Sequence, residues 1–193
     1  MEEMFSTEVR TEPVPFERWL KEYCKGEKFA KACAECPYYG KRWSCPPDMP
    51  SVRDYFSGME TVFCIGVKVM YSEAAIRESE KSPEREEEIR TQTYEVVKKR
   101  MLRALLALET AFPGAKSIMA GGCLLCYRCA REYGRPCYHP DKMRYSYSGF
   151  GFDLGQIAAE VLGMPLLWRQ GGLPRYHVAI ASILMPQRKN QEF

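Results

Sequence analysis

Nine cysteines, at positions 24, 33, 36, 45, 64, 123, 126, 129 and 137, constrain this chain more than any other feature, because eight of them fall into two groups of four. An odd total in tight clusters speaks against a disulfide framework. The N-terminal MEEMFSTEVR is charged where an export signal needs an apolar core, and no apolar run reaches the ~18 residues of a bilayer span. The expectation is a cytoplasmic protein with no membrane segment, in a reducing compartment where clustered thiols bind metal or do redox work. Composition agrees with an ordinary folded chain, 193 residues with 46% hydrophobic and 27% charged. With 28 basic against 25 acidic residues, net charge +3, charge alone does not advertise a nucleic-acid partner.

The second group, Cys123-Leu-Leu-Cys126-Tyr-Arg-Cys129 followed by Cys137, has the form C-x2-C-x2-C-x7-C. Three thiolates on one short loop can reach three corners of a cubane, as in bacterial ferredoxins, whereas zinc ribbons draw two ligands from each of two knuckles. The spacing therefore points to a [4Fe-4S] cluster on Cys123, Cys126, Cys129 and Cys137, with zinc as the alternative. Unlike a ferredoxin, the chain places its fourth cysteine seven residues on, with no proline after it and no second run of the same type.

The first group, Cys24, Cys33, Cys36 and Cys45, is spaced C-x8-C-x2-C-x8-C. Cys33 and Cys36 form a knuckle and Cys45 returns on Pro46-Pro47, so these three are expected to hold a second metal or cluster, with Cys24 as a candidate fourth ligand. If Cys24 is a packed thiol, one coordination position stays open to solvent or substrate. Cys64 sits among Val62, Phe63, Ile65 and Val67 and reads as a buried small hydrophobe. His139 is a candidate ligand or a donor to a cluster sulfur, and His177 reads as structural. Arg128, Arg131, Arg135, Lys142 and Arg144 alternate with tyrosines around the second group. They read either as charge compensation for thiolates or as a single-stranded nucleic-acid surface.

Patterning gives a scaffold for these loops. Phe16, Trp19, Leu20 and Tyr23 form one face of a short helix, Ser51 with Asp54 caps another, and 61–71 is a β-branched buried strand. Ser82-Pro83 opens a long amphipathic helix running to Ala111. A short strand follows at 116–120, and Asp153 with Gln156 caps a helix closed by Gly163. Strands are expected at 165–168 and 177–185, a mobile loop at 72–82, and no element before residue 15. The Gly149–Gly155 segment opens a helix, but it follows a polar loop and carries Asp153 at the cap, so it is not read as a nucleotide loop. The order strand, helix, strand, cysteine loop, helix, strand, strand predicts a small layered α/β sheet with crossover helices. The expected organisation is an N-terminal helix and cysteine-rich metal-binding region, 1–60, with 26–50 read as loop, and an α/β part, 61–193, with a metal loop inserted at 121–148, together one compact unit.

The segment Cys33-Ala-Glu-Cys36-Pro-Tyr-Tyr-Gly-Lys-Arg-Trp-Ser-Cys45-Pro-Pro, the run from Cys123 through His139-Pro140, and the helix start at Gly151-Phe-Asp153 resemble an uncharacterised prokaryotic family of predicted metal-binding proteins. The resemblance covers most of residues 30 to 165 and implies cysteine-bound metal without supplying a reaction. The function expected from the thiol spacing is electron transfer, or an accessory redox role beside a redox protein partner. Two other readings stand beside it: a zinc-stabilised module binding nucleic acid or protein, and a reductase with an open-site cluster.

Overall fold

The computed structural model describes residues 4–187. Four strands, β1 (Phe5–Pro15), β2 (Met59–Tyr71), β3 (Lys116–Met119) and β4 (Tyr176–Pro186), form one sheet in the order β1-β2-β4-β3. Every neighbouring pair is antiparallel. Since β2 and β3 both run against β4, they are parallel to each other, and the helices between them carry the chain across β4. The mixed α/β class and this one crossover agree with the sequence pattern.

Alternation along the two central strands explains the layering. Val62 and Cys64 of β2 and Val178, Ile180 and Leu184 of β4 point to one face, where α1 (Phe16–Tyr23) buries Trp19, Leu20 and Tyr23 beside Ile157 and Leu162. Ala179, Ala181 and Ile183 point to the other, where α6 (Tyr94–Ala111) lays Met101, Leu102 and Leu105. A central strand covered on both faces calls for a nearly continuous apolar run, as β4 shows from Val178 to Leu184, where Ser182 is the one polar residue and is bonded to the Tyr147 hydroxyl. Gly66 of β2 is the exception in size. A Cβ there would stand 3.0 Å from a Leu162 methyl and 3.1 Å from the Met164 sulfur.

Between these lie α2 (Glu27–Ala34), α3 (Val52–Tyr55), α4 (Glu73–Ser79) and α5 (Pro83–Gln92). The caps follow the sequence reading, with Ser51, Ser82 and Asp153 each accepting a backbone N–H from the first turn. Five expectations are corrected. Residues 5–15 form a full edge strand, paired from Phe5 opposite Tyr71 to Pro15 opposite Thr61. The long helix breaks in two at buried Thr93, whose hydroxyl bonds to the Ile89 carbonyl at 2.5 Å. The expected mobile loop at 72–82 is largely α4, capped by Ser72. Residues 165–168 form no strand, and Trp168 stands in solvent at 88% exposure. Without that strand the second crossover disappears as well. Finally, the helix after Asp153 is one α-turn, α7 (Leu154–Gln156), running into a π-turn at Ile157–Val161.

The cysteine loops follow α1 and β3 in the chain. Residues 144–153 join them to the core. Tyr147 is fully buried, accepts the Trp19 indole N–H at 2.6 Å and shares a hydrogen bond with Ser182 at 2.8 Å. Gly151 accepts the N–H groups of Lys25 and Gly26. The two glycine backbones approach so closely that a Cβ on Gly151 would lie 2.6 Å from the Gly26 Cα.

Candidate metal centre

All nine cysteines are free thiols. Cys123, Cys126, Cys129 and Cys137 line one cavity of about 180 Å³. The run leaves β3 through Gly121-Gly122, and its first member is fixed from outside, because the Cys123 N–H donates to the Ser44 hydroxyl at 3.0 Å. Its last member is fixed from within, the Cys137 sulfur accepting the His139 backbone N–H at 3.4 Å. Trp43 clamps the return of the loop by donating its indole N–H to the Arg135 carbonyl at 3.0 Å. The far end is held by Arg144, whose guanidinium donates to Glu109 of α6 at 2.8 and 3.0 Å. These side chains are only 17% and 8% exposed. Burial opposes the charged form of Glu109, but Arg144 and Ser117 outweigh it and hold the carboxyl below its ordinary value.

Cys33, Cys36 and Cys45 line a second, wider cleft of about 430 Å³. Cys33 comes from the last turn of α2, a helix inside the stretch expected to be loop, and its thiol donates to the Ser148 carbonyl at 3.7 Å. Cys24 lines neither cavity. It ends α1, forms a bridge with Phe152, and donates its thiol to the Phe150 carbonyl at 3.4 Å. Cys64 is fully buried in β2 opposite Ser182, away from both clefts. Among the two histidines, His139 lines the four-thiol cavity, while His177 shares a 2.7 Å hydrogen bond with Tyr71 beside β4.

The two cavities share a partition. Arg42 and Leu124 line both, and the Ser44 hydroxyl that receives the Cys123 N–H also lies 3.6 Å from the Cys45 sulfur. Burial pushes the thiols of Cys33, Cys45, Cys123 and Cys126 above their ordinary value, and neighbouring thiols add to it. A cation placed there removes both penalties at once. Among the described residues no three His, Cys, Asp or Glu side chains stand close enough to hold a single ion as placed. The donor set nevertheless suits a thiophilic metal, with four thiols facing one cavity and three facing another.

A family model described as predicted metal-binding protein (DUF2284) matches residues 8–185. The chain belongs to that family. Within this DUF2284 protein the matched span takes in both cysteine groups and all four strands except their outermost residues. No curated protein and no solved structure matches the chain.

The DUF2284 site contains residues that cysteine spacing did not single out. Ser44 and the Ser146–Gly149 turn bind the two groups together, Ser146 N–H donating to the Ser44 carbonyl at 2.8 Å. Of the five basic residues around the second group, Arg131 pairs with Asp48 and stacks on Trp43, and Arg144 pairs with Glu109. Among the described residues no helix is long and apolar enough to cross a membrane.

Proposed function

We propose that this protein is an iron–sulfur electron carrier with Cys123, Cys126, Cys129 and Cys137 as the ligands of a [4Fe-4S] cluster and Cys33, Cys36 and Cys45 as the ligands of a second centre. The observation that carries this is the four-thiol cavity. Three of its thiols come from one seven-residue run, and the four line a cavity of about 180 Å³, room for a polynuclear cluster, whereas a single zinc ion draws its sulfurs to about 2.3 Å from one point. Bound there, the cluster would supply reversible one-electron transfer.

The chain's own residues have separable tasks. Ser44 and Leu124 hold the two cavities a side chain apart, the His139 N–H stabilises charge on the Cys137 sulfur, and Trp43 and Arg144 pin the loop that carries the ligands. Tyr127, Tyr133 and Tyr138 are exposed beside the four-thiol cavity and offer a docking rim for a redox protein partner. Nine free thiols suit a reducing, cytoplasmic setting.

Metal and sulfide analysis of protein purified without oxygen tests the reading. The expected preparation is brown and contains iron and acid-labile sulfide in near-equal amounts. Stoichiometric zinc with neither iron nor sulfide would overturn it in favour of a zinc-stabilised module.

A further inference from the structure

The three-thiol cleft is also lined by cations, Arg42, Arg90 and Lys98. Lys98 of α6, 12% exposed, donates to Glu95 at 3.3 Å, and the same carboxylate takes Arg90 at 2.6 Å. One half-buried carboxylate thus serves two cations, and Arg42 adds a third positive charge to the lining. Arg42 differs from the others in having no counter-ion. Its guanidinium lies 3.6 Å from the centroid of the Tyr38 ring, and among the described residues it donates to no carboxylate and no carbonyl. A stacked, half-buried arginine with unspent donors is pre-oriented for a planar oxyanion.

The backbone under these cations is shaped for them. Gly121 and Gly122 form the floor of the cleft between β3 and Cys123. A Cβ on Gly121 would stand 3.3 Å from the Lys98 ammonium, and one on Gly122 would run into the Arg42 side chain, 2.9 Å from its Cδ. Gly121 needs its glycine for its φ of +83° as well, but Gly122 has no positive φ. Its missing side chain is explained by the space that Arg42 occupies.

We propose that the cleft lined by Cys33, Cys36, Cys45, Arg42 and Lys98 is a binding site for a small oxyanion, a carboxylate or a phosphate, held by Arg42 across Gly122 with one end turned to the three thiols. It rests on the proposed reading of Cys33, Cys36 and Cys45 as ligands of a second centre, since three thiols would leave one coordination position there for the bound anion. The volume, about 430 Å³, is that of a small-molecule site and exceeds what three thiols and a metal need.

Isothermal titration of the anaerobically purified protein with acetate, oxalate and inorganic phosphate tests this, with iron and sulfide measured on each preparation. Binding of at least one of the three is expected, and the order among them separates carboxylate from phosphate recognition. Arg42→Gln and Lys98→Met should each weaken it about tenfold or more, the worth of one charge-assisted hydrogen bond. Gly122→Ala keeps every charge yet displaces Arg42, so it should weaken binding about fivefold or more at unchanged metal content. Equal binding in wild type and all three variants would mean an adventitious ion only, and would overturn the site. Loss of iron in Arg42→Gln with anion affinity retained would make the arginine a counter-charge for the thiolates, which also overturns it. Arg42-dependent binding to protein holding no iron would keep the anion site while removing the electron-carrier reading.

Discussion

Cys123, Cys126, Cys129 and Cys137 line a cavity of about 180 Å³, whereas Cys33, Cys36 and Cys45 line a cleft of about 430 Å³ together with Arg42, Lys98 and two glycines. The first set is complete in thiols, carried on one loop and clamped by Trp43, Ser44 and Arg144. The second is one thiol short and draws Cys33 from a helix turn and Cys45 from a proline-braced loop. A closed thiol set keeps its metal to itself, and an open one leaves it something to meet. On the proposed reading the same residue type serves two purposes within one chain, distinguished by what else lines the space beside it.

Removing metal is the strongest way to sharpen that contrast. Thiolate sites supply on the order of 10 kcal/mol, while the sheet with α1 and α6 has an apolar core of its own. Chelated or oxidised protein should keep most of its helical circular dichroism and lose protease resistance at residues 24–50 and 121–148. Cys126→Ser should abolish the four-thiol centre and leave the other loaded. Identical cleavage patterns with and without metal would show that packing alone holds both loops.

A smaller effect belongs to the clamp on the closed set. Glu109→Gln leaves Arg144 without its buried partner, so urea denaturation should show a loss of about 3 kcal/mol. Amide exchange should accelerate at residues 141–147 before it does around Cys33. Equal acceleration at both groups would mean that the loops share one clamp.

Cys24 gives a finer distinction. Its thiol faces the Phe150 carbonyl, not the open cleft. Cys24→Ser should therefore change stability by less than about 1 kcal/mol and leave the iron content intact, unlike Cys33→Ser. Loss of iron in Cys24→Ser would close the open set and with it the comparison.

The smallest effect lies away from both groups. Burial, with the Arg90 charge behind it, holds the His177 imidazole below its ordinary value of 6.5. The unfolded chain then takes up a proton that the folded chain refuses. The stabilisation is intact above pH 6.5 and is lost as pH falls through the folded value. Urea midpoints at pH 7 and about pH 5.5 should fall less in His177→Gln than in wild type. The difference should be the same in chelated protein, which separates it from acid loss of metal.

How far the residues announced this structure depends on where the holding energy lies. The stripe Phe16, Trp19, Leu20, Tyr23 buries every member, and β2 and β4 carry the apolar content that a covered sheet demands. The strand Phe5–Pro15 was illegible because β2 supplies its partners. Most of its side chains face solvent, and Pro13 and Pro15 are tolerated only because it is an edge. Conversely, Leu167 and Trp168 look like strand residues and are exposed. The break at Thr93 turns on one hydroxyl bond, and no hydrophobic period records it. In the site, spacing assembled the two thiol sets, but Arg42 and Ser44 carry no pattern of their own. Their roles appear only when loops about eighty residues apart in the chain meet at the Ser44–Cys123 bond.

The Ser44 hydroxyl, bonded to the Cys123 N–H and in reach of the Cys45 sulfur, has a consequence for how the protein matures. On the reading that both sets bind metal, whichever cavity is filled first fixes a wall of the other, so part of the ordering entropy of the second loading has already been met. The two insertions are then thermodynamically linked, and by reciprocity each raises the affinity of the other by the same factor. On that reading Cys126→Ser leaves the second centre loaded but lowers its affinity for metal, by the same factor that the filled second centre lends to the first.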